Sequence, residues 1–337
     1  MNEKLVSIVM PVYNGDKYLV ASIESCLNQT HSNIELIIVN DCSTDNSLAI
    51  AIKFQKEDNR VVIINNKKNL KLPASLNIGH KAVKGDFITW TSDDNIYNLN
   101  AIEQLLESLK TNSVDLVYSD ISIIDNQGKK MRSVSFVNFE NILFGNFIGS
   151  CFLYKREVFE KNNGYNETLF LVEDYDFWLR ASLHSKFYQL KKNLYNYRLH
   201  ADSLTNSISF DNHKNRSYRE NVKNMYVNFA NTVMKEDDDV IVNFQTNTLT
   251  HQKIEFDWLR KNNKTIFKFI ENINKYHNYR NKRALRKVFM DKMTHVLVLN
   301  SEKKFNIKRA MFIAIRFYNV LDLNTIKTLI KYSFFKK

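Results

Sequence analysis

The chain has 337 residues, enough for one large domain or for a domain with an appendage, and its 44% hydrophobic and 25% charged residues are ordinary for a folded protein. With 7 Gly and 2 Pro it lacks the residues that build Pro/Gly linkers and turn-crowded β architectures; Cys26, Cys42 and Cys151 form neither a CxxC pair nor a zinc spacing and suit a reducing compartment. The net charge of +12 is uneven: residues 207–337 hold 26 Lys and Arg against 12 Asp and Glu, whereas residues 1–206 hold 22 against 24, so the basicity has to be explained in the tail.

In chain order, Val6 to Met10 reads as an apolar strand stopped by Pro11, and Lys17 to Gln29 as a helix. Ile34 to Val39 is apolar throughout, as expected of a parallel strand covered on both faces. It ends in Asn40-Asp41-Cys42-Ser43-Thr44-Asp45, a loop that can cap a helix running through Lys56. Val61 to Ile64 is a third strand, Pro73 to Val83 a helix with Gly79 as a weak point, and Phe87 to Thr91 a fourth strand. Leu99 to Leu109 reads as a helix and Leu116 to Ile124 as a strand. Residues 129–148 carry no clear period. Ser150 to Tyr154, Phe187 to Leu190 and Leu194 to Leu199 read as strands, and Lys155 to Lys161 and Phe177 to Leu183 as helices.

This alternation predicts a doubly wound, mostly parallel sheet over residues 1–206. From Ser207 the strand signals fade. Helices are expected at Asn221–Val233, Asn247–Leu259, Thr265–Ile273, Asn281–Leu299, Arg309–Leu321 and Asn324–Phe335. Residues 207–337 are therefore expected to form a separate, basic, mostly helical region. No apolar run near the start is long enough for a signal peptide, and none approaches the ~18 residues of a spanning helix, so a cytoplasmic location is expected.

The chemistry gathers at the strand ends. Parallel βαβ units bring Pro11-Val12-Tyr13-Asn14, Asn40-Asp41 and Ser92-Asp93-Asp94 to one sheet edge, where open α/β sheets bind ligands. Two adjacent carboxylates with no basic neighbour suit a hard cation such as Mg²⁺ or Mn²⁺; the bland alternative is a solvated turn in which Asn95 and Asn98 help to start the next helix. Asp41 can accept hydrogen bonds from a base N–H or a ribose hydroxyl, or can be a loop cap that only orders Ser43 and Thr44. The acids of Glu173-Asp174-Tyr175-Asp176 offer a general base, or else favour a helix N-terminus through its dipole.

Five motifs over residues 5–205 resemble the inverting family 2 glycosyltransferases of the GT-A fold: Ser7 to Asn14, Asn40 to Asp45, Ser92-Asp93-Asp94, Glu173 to Arg180, and Tyr197-Arg198-x-His200-x-x-Ser203. The resemblance implies a Rossmann-like sheet flanked by helices, with a helical C-terminal extension. It implies a nucleotide-sugar site at Pro11, Val12, Tyr13, Asn14, Asp41, Asn69, Ser92, Asp93 and Asp94, with uridine favoured. Asp93 and His200 would be metal ligands for Mn²⁺ or Mg²⁺, with Asp94 acting through water or on sugar hydroxyls. Asp174 would be the catalytic base, with Glu173 and Asp176 as alternatives and Trp178 packed beneath. The implied activity is transfer from a UDP-sugar to a hydroxyl of a glycan or lipid-linked glycan, in bacterial surface polysaccharide synthesis.

The chain departs from the family pattern at Asn40 and Thr91, where Asp is usual, at Leu70, where Gly is common, and at Leu76, where Arg is frequent. A non-catalytic nucleotide-sugar or glycan-binding relative is the alternative these departures favour. A nicotinamide-dependent oxidoreductase would need GxGxxG after the first strand, and that loop holds only Gly15. For the tail, no nucleic-acid motif is present. Basic amphipathic helices on an anionic membrane surface, at the inner face of the plasma membrane, compete with a solvated helical domain or an oligomer interface.

Overall fold

The computed structural model describes residues 4–149, 151–234, 236, 238–296 and 307–334. In chain order the first elements are β1 (Val6–Val12), α1 (Asp16–Leu27), β2 (Ile34–Asn40), α2 (Ser47–Glu57), β3 (Val61–Asn65), α3 (Leu72–Ala82), β4 (Phe87–Trp90), β5 (Ile96–Tyr97) and α4 (Ala101–Thr111). Then come β6 (Leu116–Ile124), β7 (Lys130–Val134), a 3₁₀ turn (Phe139–Phe144), β8 (Phe152–Lys155), α5 (Arg156–Lys161), α6 (Glu173–Ala181) and β9 (Phe187–Arg198). The helices that follow are α7 (Leu204–Phe210), α8 (Asn212–Val233), α9 (Asp238–Leu249), α10 (Phe256–Ile273), α11 (Lys282–Thr294), α12 (Ile307–Arg316) and α13 (Leu323–Phe334).

Among the described residues the strands form one sheet in the order β3-β2-β1-β4-β8-β6-β9-β5, with β7 paired to β6. The half containing β3, β2, β1 and β4 is parallel, as expected. Beyond it the sheet is mixed: β8 runs antiparallel to both β4 and β6, and β9 runs parallel to β6. β1, β2, β4, β6 and β9 consequently point the same way. Val12, Asn40, Trp90 and Arg198 all end at one edge.

Every residue of β1 and β2 is buried, which is why these strands read as unbroken apolar runs. One face of β1 (Val6, Ile8, Met10, Val12) packs with Leu19 and Ile23 of α1, Ala51 of α2 and Leu105 of α4. The other face receives α3. Gly79 is what lets it approach, since a Cβ there would stand 2.4 Å from Val9 Cγ1. The residue that weakens α3 as a helix is thus the one that seats it on the sheet. His80 of α3 joins Tyr154, Phe159, Tyr165 and Phe177 in a buried aromatic group, with its Nε2 2.7 Å from Tyr154 Oη and burial lowering its pKa to about 4. Trp178 packs on Phe152 and Tyr154 in the core, as expected.

The strands expected at Phe187–Leu190 and Leu194–Leu199 are one strand, β9, whose pairing with β6 shifts register between Ser119 and Ser122. The expected strand beginning at Ser150 has that residue outside the described ones and runs from Phe152. The helix expected at Asn247–Leu259 is not formed. That stretch holds the end of α9, a break at His251 (φ 55°) and the start of α10. Residues 297–299 and 335, expected as helix ends, lie outside the described residues.

By packing, the chain divides into a first unit of residues 1–137 with 146–221 and a second of 138–145 with 222–337. In the second, the 3₁₀ turn is held among the helices: Phe144 packs edge-on to Phe244 and Phe289, and Tyr226 Oη and Gln245 Nε2 donate to the Leu143 carbonyl at 3.2 and 2.7 Å.

Candidate active site

A pocket of about 850 Å³ opens at the strand-end edge of the first unit. The loops around it hold four non-glycine residues in the left-handed region: Asn14 (φ 55°), Cys42 (φ 63°), Lys71 (φ 69°) and Leu171 (φ 79°). Such conformations cost about 1–3 kcal/mol each and persist where the surroundings over-determine them, which is common at binding sites.

Pro11, Val12, Tyr13, Asn14, Asp41 and Asn69 all line this pocket. Tyr13 stands 52% exposed at its mouth, free to lie against a ring. The Asn14 side chain is already used, because its Oδ1 accepts from the Thr44 amide at 2.8 Å, while Ser43 Oγ accepts from the Asn14 amide at 3.0 Å. Asp41 is buried, and its carboxylate accepts from Asn66 Nδ2 and from the amides of Leu70 and Lys71, each at 2.8 Å. It orders the 66–71 loop rather than Ser43 and Thr44. One lone-pair position on Oδ2 remains for a ligand. Asn69 Oδ1 accepts from the Lys71 amide at 3.0 Å, so its amide nitrogen is the end offered outward. Lys71 Nζ sits 5.1 Å over the Phe170 ring at the pocket wall.

Ser92, Asp93 and Asp94 follow β4 directly into the pocket. Thr91, where the family pattern has Asp, points into the core and pairs with Tyr195 Oη at 2.6 Å. Asp93 packs so closely on Gly15 that a Cβ there would lie 2.0 Å from Asp93 Oδ2. Burial, then the neighbouring Asp94, push the Asp93 carboxyl up to about 7. His200, two residues past β9, meets Asp94 rather than Asp93: His200 Nε2 is 2.9 Å from Asp94 Oδ2. Arg198 Nε donates to the Asp94 carbonyl at 2.8 Å and Arg198 N to Asn95 Oδ1 at 2.7 Å, so β9 and the Asp-Asp loop are laced together. Asn95 therefore fixes this loop instead of starting α4. Tyr18, which the sequence did not single out, supports the cluster with its ring 5.0 Å from His200 and under Arg198 at 4.5 Å.

The donor set fits a hard divalent cation. Asp94 Oδ1 is buried without a hydrogen-bond partner among the described residues, and carboxylate oxygens with one imidazole suit Mn²⁺ or Mg²⁺. Among the described residues no group of three His, Cys, Asp or Glu side chains is placed to hold a metal ion, so a cation here would need ligands from diphosphate and water.

Glu173 and Asp174 open α6 at the pocket wall. Asp174 Oδ1 accepts from the Tyr175 amide at 2.7 Å and Oδ2 from Asn146 Nδ2 at 2.8 Å. Asn146, in the stretch that carried no readable pattern, was missed from the sequence. Burial raises the pKa of both acids, and the charge of Asp174 pushes Glu173 further, up to about 8. Asp176 faces elsewhere. It is buried against Arg180 at 2.6 Å, and Arg180 also donates to the carbonyls of Asn162 and Gly164, which ties α6 to the preceding turn. Tyr197 lines the pocket, and Ser203 caps α7 by accepting from the Asn206 amide at 3.3 Å.

The model of Glycosyl transferase family 2 matches residues 7–163. An uncharacterised glycosyltransferase of Haemophilus influenzae is 30% identical over 238 residues, covering 66% of this chain and 73% of that protein. The chain belongs to glycosyl transferase family 2. Another relative, an uncharacterised glycosyltransferase of Rickettsia felis, is 32% identical over 220 residues, covering 62% of this chain. This chain spans 36% of the length of that protein. The crystal structure of Staphylococcus aureus TarS residues 1–349 in complex with UDP superposes with a TM-score of 0.57 at 16% identity, covering 97% of this chain and 90% of that one. The same TarS segment in complex with UDP-GlcNAc gives a TM-score of 0.57. The likeness shows the GT-A type fold, a sheet flanked by helices with a helical C-terminal portion.

Proposed function

We propose that this protein transfers a sugar, with inversion, from a UDP-sugar to a hydroxyl of a glycan or lipid-linked glycan in bacterial surface polysaccharide synthesis. The observation that carries the reading is that one pocket holds both an Asp93–Asp94–His200 cluster and a separate, hydrogen-bonded carboxylate at Asp174. TarS, of the same fold, is solved with UDP and UDP-GlcNAc, which supports uridine as the donor base. Free thiols at all three cysteines suit a reducing compartment, so we assign the protein to the cytoplasm. No helix among the described residues is long and apolar enough to cross a membrane.

In this reading Tyr13 lies against the base, Asp41 and Asn69 bond the nucleoside, and Pro11, Val12 and Asn14 shape the wall. Asp93 and Asp94, with His200 beside them, would contribute ligands to Mn²⁺ or Mg²⁺ together with the diphosphate and water, and the cation would offset charge on the leaving diphosphate. Asp174 accepts the acceptor hydroxyl's proton as its oxygen attacks the anomeric carbon from the face opposite the diphosphate. Asn146 and the Tyr175 amide hold the carboxylate in position for that transfer. Residues 1–206 carry donor binding and catalysis, and residues 207–337 carry acceptor or surface contacts.

The test is UDP release from a panel of UDP-sugars with Mn²⁺, in the presence of isolated cell-envelope glycan. Wild-type protein should release UDP from one sugar, and Asp174→Asn should bind the same donor without turnover. Equal turnover by Asp174→Asn would remove Asp174 as the base, and binding without turnover by the wild type would favour a binding protein.

A further inference from the structure

The second unit ends in two helices that are apolar on two sides. On α12, Ala310 and Ile313, with Phe317 just beyond, are buried. On the other side Ile307, Met311 and Ile315 recur every four residues at 49%, 53% and 65% exposure, and Tyr318 continues the ridge at 75%. On α13, Thr325 and Leu329 are buried, while Leu323, Ile326 and Ile330 stand out at 75%, 38% and 48%. Residues spaced three and four apart share one side of a helix, so each set forms a continuous outer ridge. A helix that only covered its own core would need no second apolar side.

The two helices and the turn between them carry a strong positive excess. Residues 307–334 hold Lys308, Arg309, Arg316, Lys327 and Lys331 against a single acid, Asp322. That acid is paired with Lys287 at 2.8 Å. Lys308 and Lys327 flank the ridges on the helical wheel, which is the arrangement of interfacial helices that sink an apolar side among acyl chains and place cations at the headgroups. The same charge opposes a second copy of this chain, which would bring like charges together.

We infer that α12 and α13 form a docking surface for an anionic phospholipid membrane. The surface stands independently of the transfer reaction. Each basic residue near an anionic bilayer adds attraction that salt screens, and the exposed Ile, Leu and Met side chains add apolar burial that salt does not weaken.

The test is co-sedimentation of the full chain with vesicles of phosphatidylglycerol and phosphatidylcholine, against vesicles of phosphatidylcholine alone. The probes are the wild type and a Met311→Ser/Ile315→Ser/Leu323→Ser/Ile330→Ser variant. The wild type should pellet with the anionic vesicles, stay in solution with the neutral ones, and lose most of its bound fraction in high salt. The variant should lose binding to the anionic vesicles while keeping its melting temperature, because the replaced side chains are exposed. Failure of the wild type to bind anionic vesicles would overturn the inference. So would equal binding to both vesicle types, or a wild-type dimer that the variant converts to monomer without any vesicle binding.

Discussion

Asn146 Nδ2 lies 2.8 Å from Asp174 Oδ2, while the other carboxylate oxygen is held by the Tyr175 amide at 2.7 Å. A base held at both oxygens keeps one orientation, and Asn146 supplies the half of that hold which comes from outside α6. Asn146→Ala should lower turnover about 10- to 100-fold and leave the donor KM within about twofold, since misplacing a reacting group by about 1 Å can cost about 100-fold. Steady-state kinetics at varied donor concentration check it. A raised KM with unchanged turnover would make Asn146 a donor contact instead.

The Glu173–Asp174 pair sets a pH dependence. Burial raises both pKa values above the ordinary carboxylate range, and only the deprotonated base accepts a proton. Activity should therefore rise with pH, along a limb lying above that ordinary range. Glu173, pushed up to about 8 by burial and by the charge of Asp174, is mostly neutral below that pH, so Glu173→Gln should leave the limb nearly in place. A pH–rate profile of kcat/KM for both proteins measures this, and a limb that moves to lower pH in the variant would show that Glu173 is charged beside the base.

Gly15 is required by closeness, not by backbone strain. A Cβ at this position would stand 2.0 Å from Asp93 Oδ2, so Gly15→Ala must displace the first acid of the pair. The variant should fold, keep its circular dichroism, and lose metal-dependent nucleotide binding about tenfold or more, as moved ligands lose the geometry a cation demands. Calorimetric titration with UDP and Mn²⁺ decides it.

Asp176 belongs to stability. The Asp176 carboxylate is buried beneath a partly exposed Arg180, so Arg180→Met leaves it uncompensated and should cost about 3–5 kcal/mol at neutral pH. The loss should shrink in acid, where a carboxyl whose pKa burial already raises can protonate. Thermal unfolding at two pH values reads both effects.

The parallel half of the sheet was legible because strands buried on both faces leave unbroken apolar runs, as in Val6 to Met10 and Ile34 to Val39. The mixed half was not. β7 is exposed nearly throughout, so its sequence, Lys-Met-Arg-Ser-Val, carries no burial pattern. β9 reads as two strands because exposed Lys191 and Lys192 interrupt its apolar signal where the pairing shifts register. Motif residues came together because their strands share a direction, but their partners were hidden. Nothing local to Asn146 announces Asp174, 28 positions on, and nothing in the Asp93-Asp94 motif says which acid meets His200. In the tail, amphipathic spacing carried across the break at His251, and Asn247–Leu259 looked like one helix for that reason.

The most direct measurement of the central claim is calorimetric titration of UDP into the wild type, Asp94→Asn and Asp174→Asn, each with Mn²⁺. A nucleotide site that uses Asp94 for the metal-bound diphosphate, with Asp174 reserved for the acceptor, predicts binding by the wild type. It predicts loss of most of that binding in Asp94→Asn and an unchanged Kd in Asp174→Asn. No binding of UDP by the wild type, or equal binding by all three, would contradict it.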